Sequence, residues 1–194
     1  KLRKLCNVKN ALLIFDEVQS GVGRTGKLWG YENLDIEPDG FTLAKGLGGG
    51  HAIGALLVGR KANLFNPGDH ASTFGGNPFA CKAAITVLNE IKRRNLINNV
   101  FIRGLQLEAG LDKLAEEYSQ IIVGQRGLGL LRGIVLKEGV VDAKKIIMNA
   151  FEKGLLLVPA GETVIRIVPP LIISKNETKL ILNKLDSIFR ELFN

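Results

Sequence analysis

Two apolar runs in this sequence end in residues that can do chemistry. LLIFDE, residues 12–17, closes on an Asp-Glu pair, and TLAKGLGGG, residues 42–50, sets a single lysine among glycines. A carboxylate pair behind an apolar strand suits a metal, as in ATPases. The loop after it, GVGRTGKL at residues 21–28, adds two phosphate patterns. Gly21, Gly23 and Gly26 fit G-x-G-x-x-G, while Gly21, Gly26 and Lys27 nearly fit G-x-x-x-x-G-K-[ST]. The second pattern fails because its last position must offer a hydroxyl to magnesium, and here it is Leu28. LWGY is also a poor helix start, and the Asp-Glu strand leaves no room for intervening βα units. The first pattern fails because residues 16–20 separate it from the strand, and no periodic helix follows.

Lys45 is the stronger signal. Lysines are usually solvated, and an ordinary strand-end lysine is the plain reading. Gly46, Gly48, Gly49 and Gly50 let backbone approach a ligand closely. A partly desolvated lysine loses proton affinity and becomes a nucleophile. An aldehyde cofactor is its natural partner. Pyridoxal phosphate needs a lysine for a Schiff base and an acid beside its ring nitrogen. Lys45 and Asp16 can be those two groups if their strands are neighbours. Arg166, inside the apolar run VIRIV, is a third candidate. A buried arginine without an anion costs several kcal/mol, roughly. Its partner is either a structural carboxylate or a ligand's.

Elements must bring these residues together. Residues 11–15, 41–44 and 55–58 are continuous apolar runs, as in strands buried on both faces, with glycine-rich turns between them. Pro78 opens a long helical pattern through Ala80, Ala84, Val87 and Ile91. A second helix is expected from about Val100 to Tyr118, weakened by Gly104 and Gly110. Residues 121–123, 130–136, 155–158 and 164–168 read as strands. A helix over 142–153 should end on Gly154. Ser174-Lys-Asn-Glu177 is a capping box. Behind it Leu180, Leu182, Leu185, Ile188, Phe189 and Leu192 build one apolar helix face. The expected division is 1–96 and 97–194, the second a small α/β unit.

The chain has 194 residues, 46% of them hydrophobic, with 23 glycines. That is ample for a packed core. No apolar run is long enough to span a membrane, and no signal-peptide pattern opens the chain. The net charge of +7 contains no block of like charges, so it reads as solvated helix faces rather than a nucleic-acid surface. Cys6 and Cys81 lack metal-ligand spacing and suggest free thiols in a reducing, cytoplasmic compartment. His51 and His70 are not read as metal ligands.

Three blocks carry a family resemblance: LLIFDEVQSGVGRTGKLWGYE, PDGFTLAKGLGGGHAIGA and HASTFGGNPFAC. In this order they resemble the class III, fold-type I aminotransferases, and RIVPPL from Arg166 continues the match. KGLGGG followed by IGA is most similar to the acetylornithine group. The resemblance implies an α/β fold: the C-terminal part of a large domain with a mainly parallel sheet (1–96), plus a small C-terminal α/β domain (97–194). It implies pyridoxal 5′-phosphate as cofactor, and transamination from N2-acetyl-L-ornithine to 2-oxoglutarate in arginine biosynthesis. Succinylornithine, ornithine or acyl-lysine are alternative donors, and an inactive folding or interaction module is the alternative of another class.

By the same resemblance Lys45 is the Schiff-base lysine and Asp16 the partner of the ring nitrogen. Val18 packs on the ring, although plain core packing explains it as well, and Gln19 bonds the phenolic oxygen. Thr73 reaches the phosphate of the other subunit in a homodimer, with Ser72 assisting. Arg166 clamps a substrate carboxylate. Arg24 and Lys27 are structural or interface residues. Family members are about twice this long. A first half would hold the phosphate loop, the ring-stacking aromatic residue and a second substrate arginine. The chain alone is therefore expected to be inactive, to bind the cofactor weakly or not at all, and to self-associate or need the missing half.

Overall fold

The computed structural model describes residues 1–193. It divides into two compact units, Lys1–Ile97 and Asn98–Asn194. The first begins with helix α1 (Leu2–Val8), which the apolar pattern did not signal, and strand β1 (Ile14–Asp16). Strands β2 (Gly40–Leu43) and β3 (Ala55–Val58) complete a sheet in the order β1-β2-β3. β1 pairs with β2 in parallel, Asp16 lying opposite Thr42, and β2 pairs with β3 antiparallel. A short 3₁₀ turn, Lys45–Gly48, leaves β2.

Helix α2 (Pro78–Arg93) packs against that turn. Its start is written in the sequence: the Asn77 side chain accepts from the Ala80 amide at 2.9 Å, and Pro78 follows where a missing N–H costs nothing. The approach is close, since a Cβ on Gly49 would lie 2.8 Å from Val87 Cγ2. Apolar strands of this kind call for cover on both faces, and in this chain Ile14, Leu56, Leu57 and Val58 are left exposed. Among the described residues no element covers them.

The second unit is a four-stranded antiparallel sheet packed with helices. Helix α3 (Leu96–Glu117) places Val100, Leu107 and Leu111 on one fully buried stripe, which Tyr118 continues just past its end. The two glycines that weaken it are contact points. A Cβ on Gly104 would stand 2.7 Å from Gly129 Cα, and one on Gly110 would stand 2.3 Å from Leu182 Cδ1. Strands β4 (Ile122–Leu128) and β5 (Leu131–Leu136) follow, then helix α4 (Ala143–Glu152), β6 (Val158–Pro159), β7 (Val164–Ile167) and helix α5 (Lys175–Phe193), with sheet order β4-β5-β7-β6.

Asp142 caps α4 by accepting from Lys144 N at 2.8 Å, and Gly154 ends it at φ +68°. The capping box of α5 is reciprocal: Glu177 accepts from the Ser174 amide at 2.8 Å and Ser174 Oγ from the Glu177 amide at 3.2 Å. Leu185, Ile188 and Phe189 of α5 are fully buried. Leu180 is not: it is 52% exposed, and Ile181 packs on the core in its stead.

Candidate active site

The first unit brings a carboxylate and an amine to one end of its sheet. Asp16 is the last residue of β1, and its parallel partner Thr42 precedes Lys45 by three positions. Both groups thus leave the carboxyl ends of neighbouring parallel strands, where open α/β sheets place ligands. Asp16 Oδ1 accepts from Val18 N at 3.0 Å and from Thr42 Oγ1 at 3.4 Å. Its carboxylate is exposed. Val18 and Gln19 follow in the turn and are half-buried.

Lys45 has the backbone of a special position. Its φ is +43°, in the left-handed region that costs an L-residue about 1–2 kcal/mol. Residues held this way cluster at functional sites. Its side chain lines a recess of about 630 Å³ with Gly50, His51, Gly54, Ser72, Gly75 and Asn77 among the other lining residues. The expected partial desolvation is not met: Lys45 is exposed, because the recess is open and its walls are glycine loops. His51 meets the edge of Phe79, with ring centroids 4.8 Å apart.

Ser72 lines the same recess, and its Oγ accepts from Gly75 N at 2.9 Å, the geometry of a hydroxyl-stabilised turn. Thr73 is exposed beside it. Asp16, Val18, Gln19 and Thr73 are not lining residues of the recess. Arg166 belongs to the second unit. It is half-buried on β7, opposite Gly133 on one side and Val158 on the other, and its Nη2 donates to the Pro159 carbonyl at 3.5 Å.

The glycine loop after β1 is explained by packing. A Cβ on Gly21 would stand 2.8 Å from Leu43 Cδ2 and 2.9 Å from the Glu17 carbonyl. Arg24 lies in this loop, and burial pulls its guanidinium below its ordinary value. A short 3₁₀ segment, Gly30–Asn33, follows the loop where a phosphate-binding helix would have to stand.

The sequence marked Glu17 only as half of a metal-suited carboxylate pair and did not mark Arg132 at all. Glu17 is 2% exposed, and its Oε2 and Oε1 accept from the amides of Gly30 at 2.5 Å and Tyr31 at 2.6 Å. Strand alternation was the available signal: if Asp16 faces out, Glu17 faces in. Arg132, 4% exposed on β5, bonds Glu108 at 3.0 Å, Gln125 Oε1 at 3.1 Å and the carbonyls of Gly129 at 3.2 Å and Gly104 at 3.4 Å. No periodicity announces an arginine buried in this way.

The residues present fit pyridoxal phosphate at its aldehyde and at its ring nitrogen. An amine suits its aldehyde and a strand-end carboxylate suits its ring nitrogen. For the phosphate this chain offers hydroxyls at Ser72 and Thr73.

Comparison with known proteins agrees with this chemistry. The family profile described as aminotransferase class-III matches residues 1–189. An acetylornithine aminotransferase of Prochlorococcus marinus subsp. pastoris is 68% identical over 192 residues, 99% of this chain and 46% of that protein. One of Parasynechococcus marenigrum is 60% identical over 99% of this chain and 46% of its own. Among solved structures, ornithine aminotransferase from Toxoplasma gondii superposes with a TM-score of 0.92 at 32% identity, covering 98% of this chain and 46% of that one. Acetylornithine aminotransferase from Elizabethkingia anophelis gives 0.89 at 33%, covering 97% and 48%. The chain spans about half the length of the curated relatives it matches.

Proposed function

The chain belongs to the class III aminotransferases, a pyridoxal phosphate-dependent family, and from that premise we propose that it carries the part of such an enzyme that holds the reactive end of the cofactor. The complete enzyme moves an amino group from N2-acetyl-L-ornithine to 2-oxoglutarate, giving N-acetylglutamate 5-semialdehyde and glutamate, as a step of arginine biosynthesis. The observation that carries the reading is the parallel pairing of β1 with β2, which sets Asp16 opposite Thr42, three residues before Lys45 in the chain. The acetylornithine donor rests on the relatives' names.

Each residue has a task its chemistry allows. When bound, pyridoxal phosphate supplies an electron-withdrawing ring that takes up the electrons left by a departing proton. Asp16 keeps the ring nitrogen protonated, since a carboxylate favours a neighbouring positive charge. Lys45 Nζ would hold the cofactor at its aldehyde, and its amine, set free when the substrate amine takes its place, would accept the proton from the amino-bearing carbon. Gln19 bonds the phenolic oxygen and Val18 packs on the ring. Ser72 and Thr73 take phosphate oxygens, Thr73 those of a partner subunit in a homodimer. The exposure of the loop around Thr73 supports that role. Arg166 binds a substrate carboxylate through its planar fork.

We also assign residues 1–96 to the large domain and 97–194 to the small one. The cellular site is the cytoplasm, supported by the free thiols Cys6 and Cys81. No helix among the described residues is long and apolar enough to cross a membrane.

The test is chemical trapping. The complete enzyme with bound pyridoxal phosphate is reduced with borohydride, digested and mapped by mass spectrometry. The expected label sits on Lys45, and a label on another lysine overturns the assignment. A donor screen should then give the highest kcat/KM for N2-acetylornithine. Preference for ornithine or succinylornithine overturns the substrate while leaving the site intact.

A further inference from the structure

We propose that Glu17 is a positioning residue that sets the aim of the Asp16 carboxylate. The inference rests on the reading of Asp16 as the partner of the ring nitrogen.

Asp16 itself is weakly held. It is exposed, its bond to Val18 lies within its own turn, and Thr42 Oγ1 stands at 3.4 Å. β1 is only three residues long and ends there. The next residue supplies what the strand lacks. Glu17 N donates to the Thr42 carbonyl at 3.0 Å, adding a further bond to the parallel ladder. The Glu17 carbonyl accepts from Gly21 N at 3.0 Å, closing the turn that holds Val18 and Gln19. Its buried carboxylate takes two backbone amides, from Gly30 and Tyr31.

Successive strand residues point to opposite faces. With Glu17 fixed on the inner face at backbone and side chain alike, β1 cannot roll about its axis. Asp16, on the outer face, inherits that orientation. Thr42 belongs to the same arrangement: its carbonyl takes Glu17, its hydroxyl approaches Asp16, and Lys45 lies three residues on. The glycines around the anchor leave no room for an alternative. A Cβ on Gly30 would lie 3.0 Å from Glu17 Oε2, and one on Gly21 would lie 3.2 Å from it. A buried carboxylate taking two amides needs no metal, cofactor or substrate to explain it, so its functional weight is its effect on the residue before it.

Glu17→Gln tests this in the complete holoenzyme. The amide has one acceptor oxygen, and its NH₂ must face a backbone donor, so one of the two anchoring bonds is lost. A misaimed catalytic group can cost roughly a hundredfold, so kcat is expected to fall by about that factor with KM little changed. The near-visible absorption band of the bound cofactor is expected to move as it does in Asp16→Asn, a signature that loss of stability alone would not produce. If Glu17→Gln does not fold, Glu17→Asp replaces it. That variant keeps the charge, draws the carboxylate back by one methylene and should show the same signature. A folded variant with wild-type kcat and spectrum, and only a lower Tm, overturns the proposal. If Asp16→Asn is itself silent, the reading of Asp16 fails and takes this inference with it. If Asp16→Asn is impaired and Glu17→Gln is not, the inference fails alone.

Discussion

At the scale of single residues, the two arginines of the antiparallel sheet show how burial separates roles. Arg132 is buried and its guanidinium bonds Glu108, Gln125 and two carbonyls, whereas Arg166 is half-buried and its Nη2 donates to the Pro159 carbonyl at 3.5 Å. Arg166→Lys keeps the charge but loses the fork. Losing one charge-assisted bond of about 1.5 kcal/mol should raise KM for the carboxylate substrate about tenfold in the complete enzyme. Steady-state kinetics beside a thermal melt checks this, because a structural arginine would lower Tm without a selective change in KM. The Arg132–Glu108 pair makes a different prediction. The hydrogen bond from Arg132 holds the Glu108 carboxyl below its ordinary value. The folded state therefore binds that proton less readily than the unfolded chain. The resulting stabilisation is present above the unfolded carboxylate value and is lost as pH falls through the lower folded value. Glu108 is 39% exposed, so solvent screens the pair and the effect is modest. Thermal melts between neutral and acid pH should show a shallower acid decline for Glu108→Gln than for wild type.

At the scale of elements, the sign of a helix substitution is set by what lies opposite. Alanine normally improves on glycine in a helix by about 1 kcal/mol. At Gly104 the new Cβ would meet backbone, Gly129 O at 2.8 Å, which cannot turn aside as a side chain can. Gly104→Ala should therefore destabilise by about 1–3 kcal/mol, measurable by urea unfolding. The same contact explains part of what the sequence concealed. The glycines in α3 looked like weaknesses because their neighbours come from far along the chain. β4 was expected over 121–123 only, yet it runs on to Leu128 through Gly124 and Gly127 with an irregularity at Ile122/Gly124. There Gly127 adopts φ +135°, and a Cβ would lie 2.0 Å from Leu131 O. Residues 155–158 read as a strand, but Leu155 N bonds the Ala150 carbonyl and finishes α4, leaving Val158–Pro159 to pair with β7. Local signals served well where the cause was local, as at Pro78, Gly154 and Ser174. The candidate site was legible as Asp16 and Lys45 because both end apolar runs. Glu17 was not, because its partners lie at Gly30 and Tyr31, across a loop that looks like a nucleotide motif.

For the whole molecule, exposure of the first sheet matters most. Ile14, Leu56, Leu57 and Val58 present an apolar surface, which favours association. The 194-residue chain expressed alone is expected to elute as oligomers in size-exclusion chromatography, and a monodisperse monomer would count against this. Lys45 has a last consequence for the molecule. It carries its amine on a backbone at φ +43°, a conformation glycine adopts freely and a β-branched residue scarcely tolerates. Lys45→Gly should thus match or exceed the wild-type Tm, while Lys45→Val falls below it. Evolution toward thermal robustness alone would then drift away from the amine. If the proposed role of Lys45 holds, a lineage that keeps lysine there records continued demand for the amine, and a relaxed descendant would betray itself first by a glycine at this position.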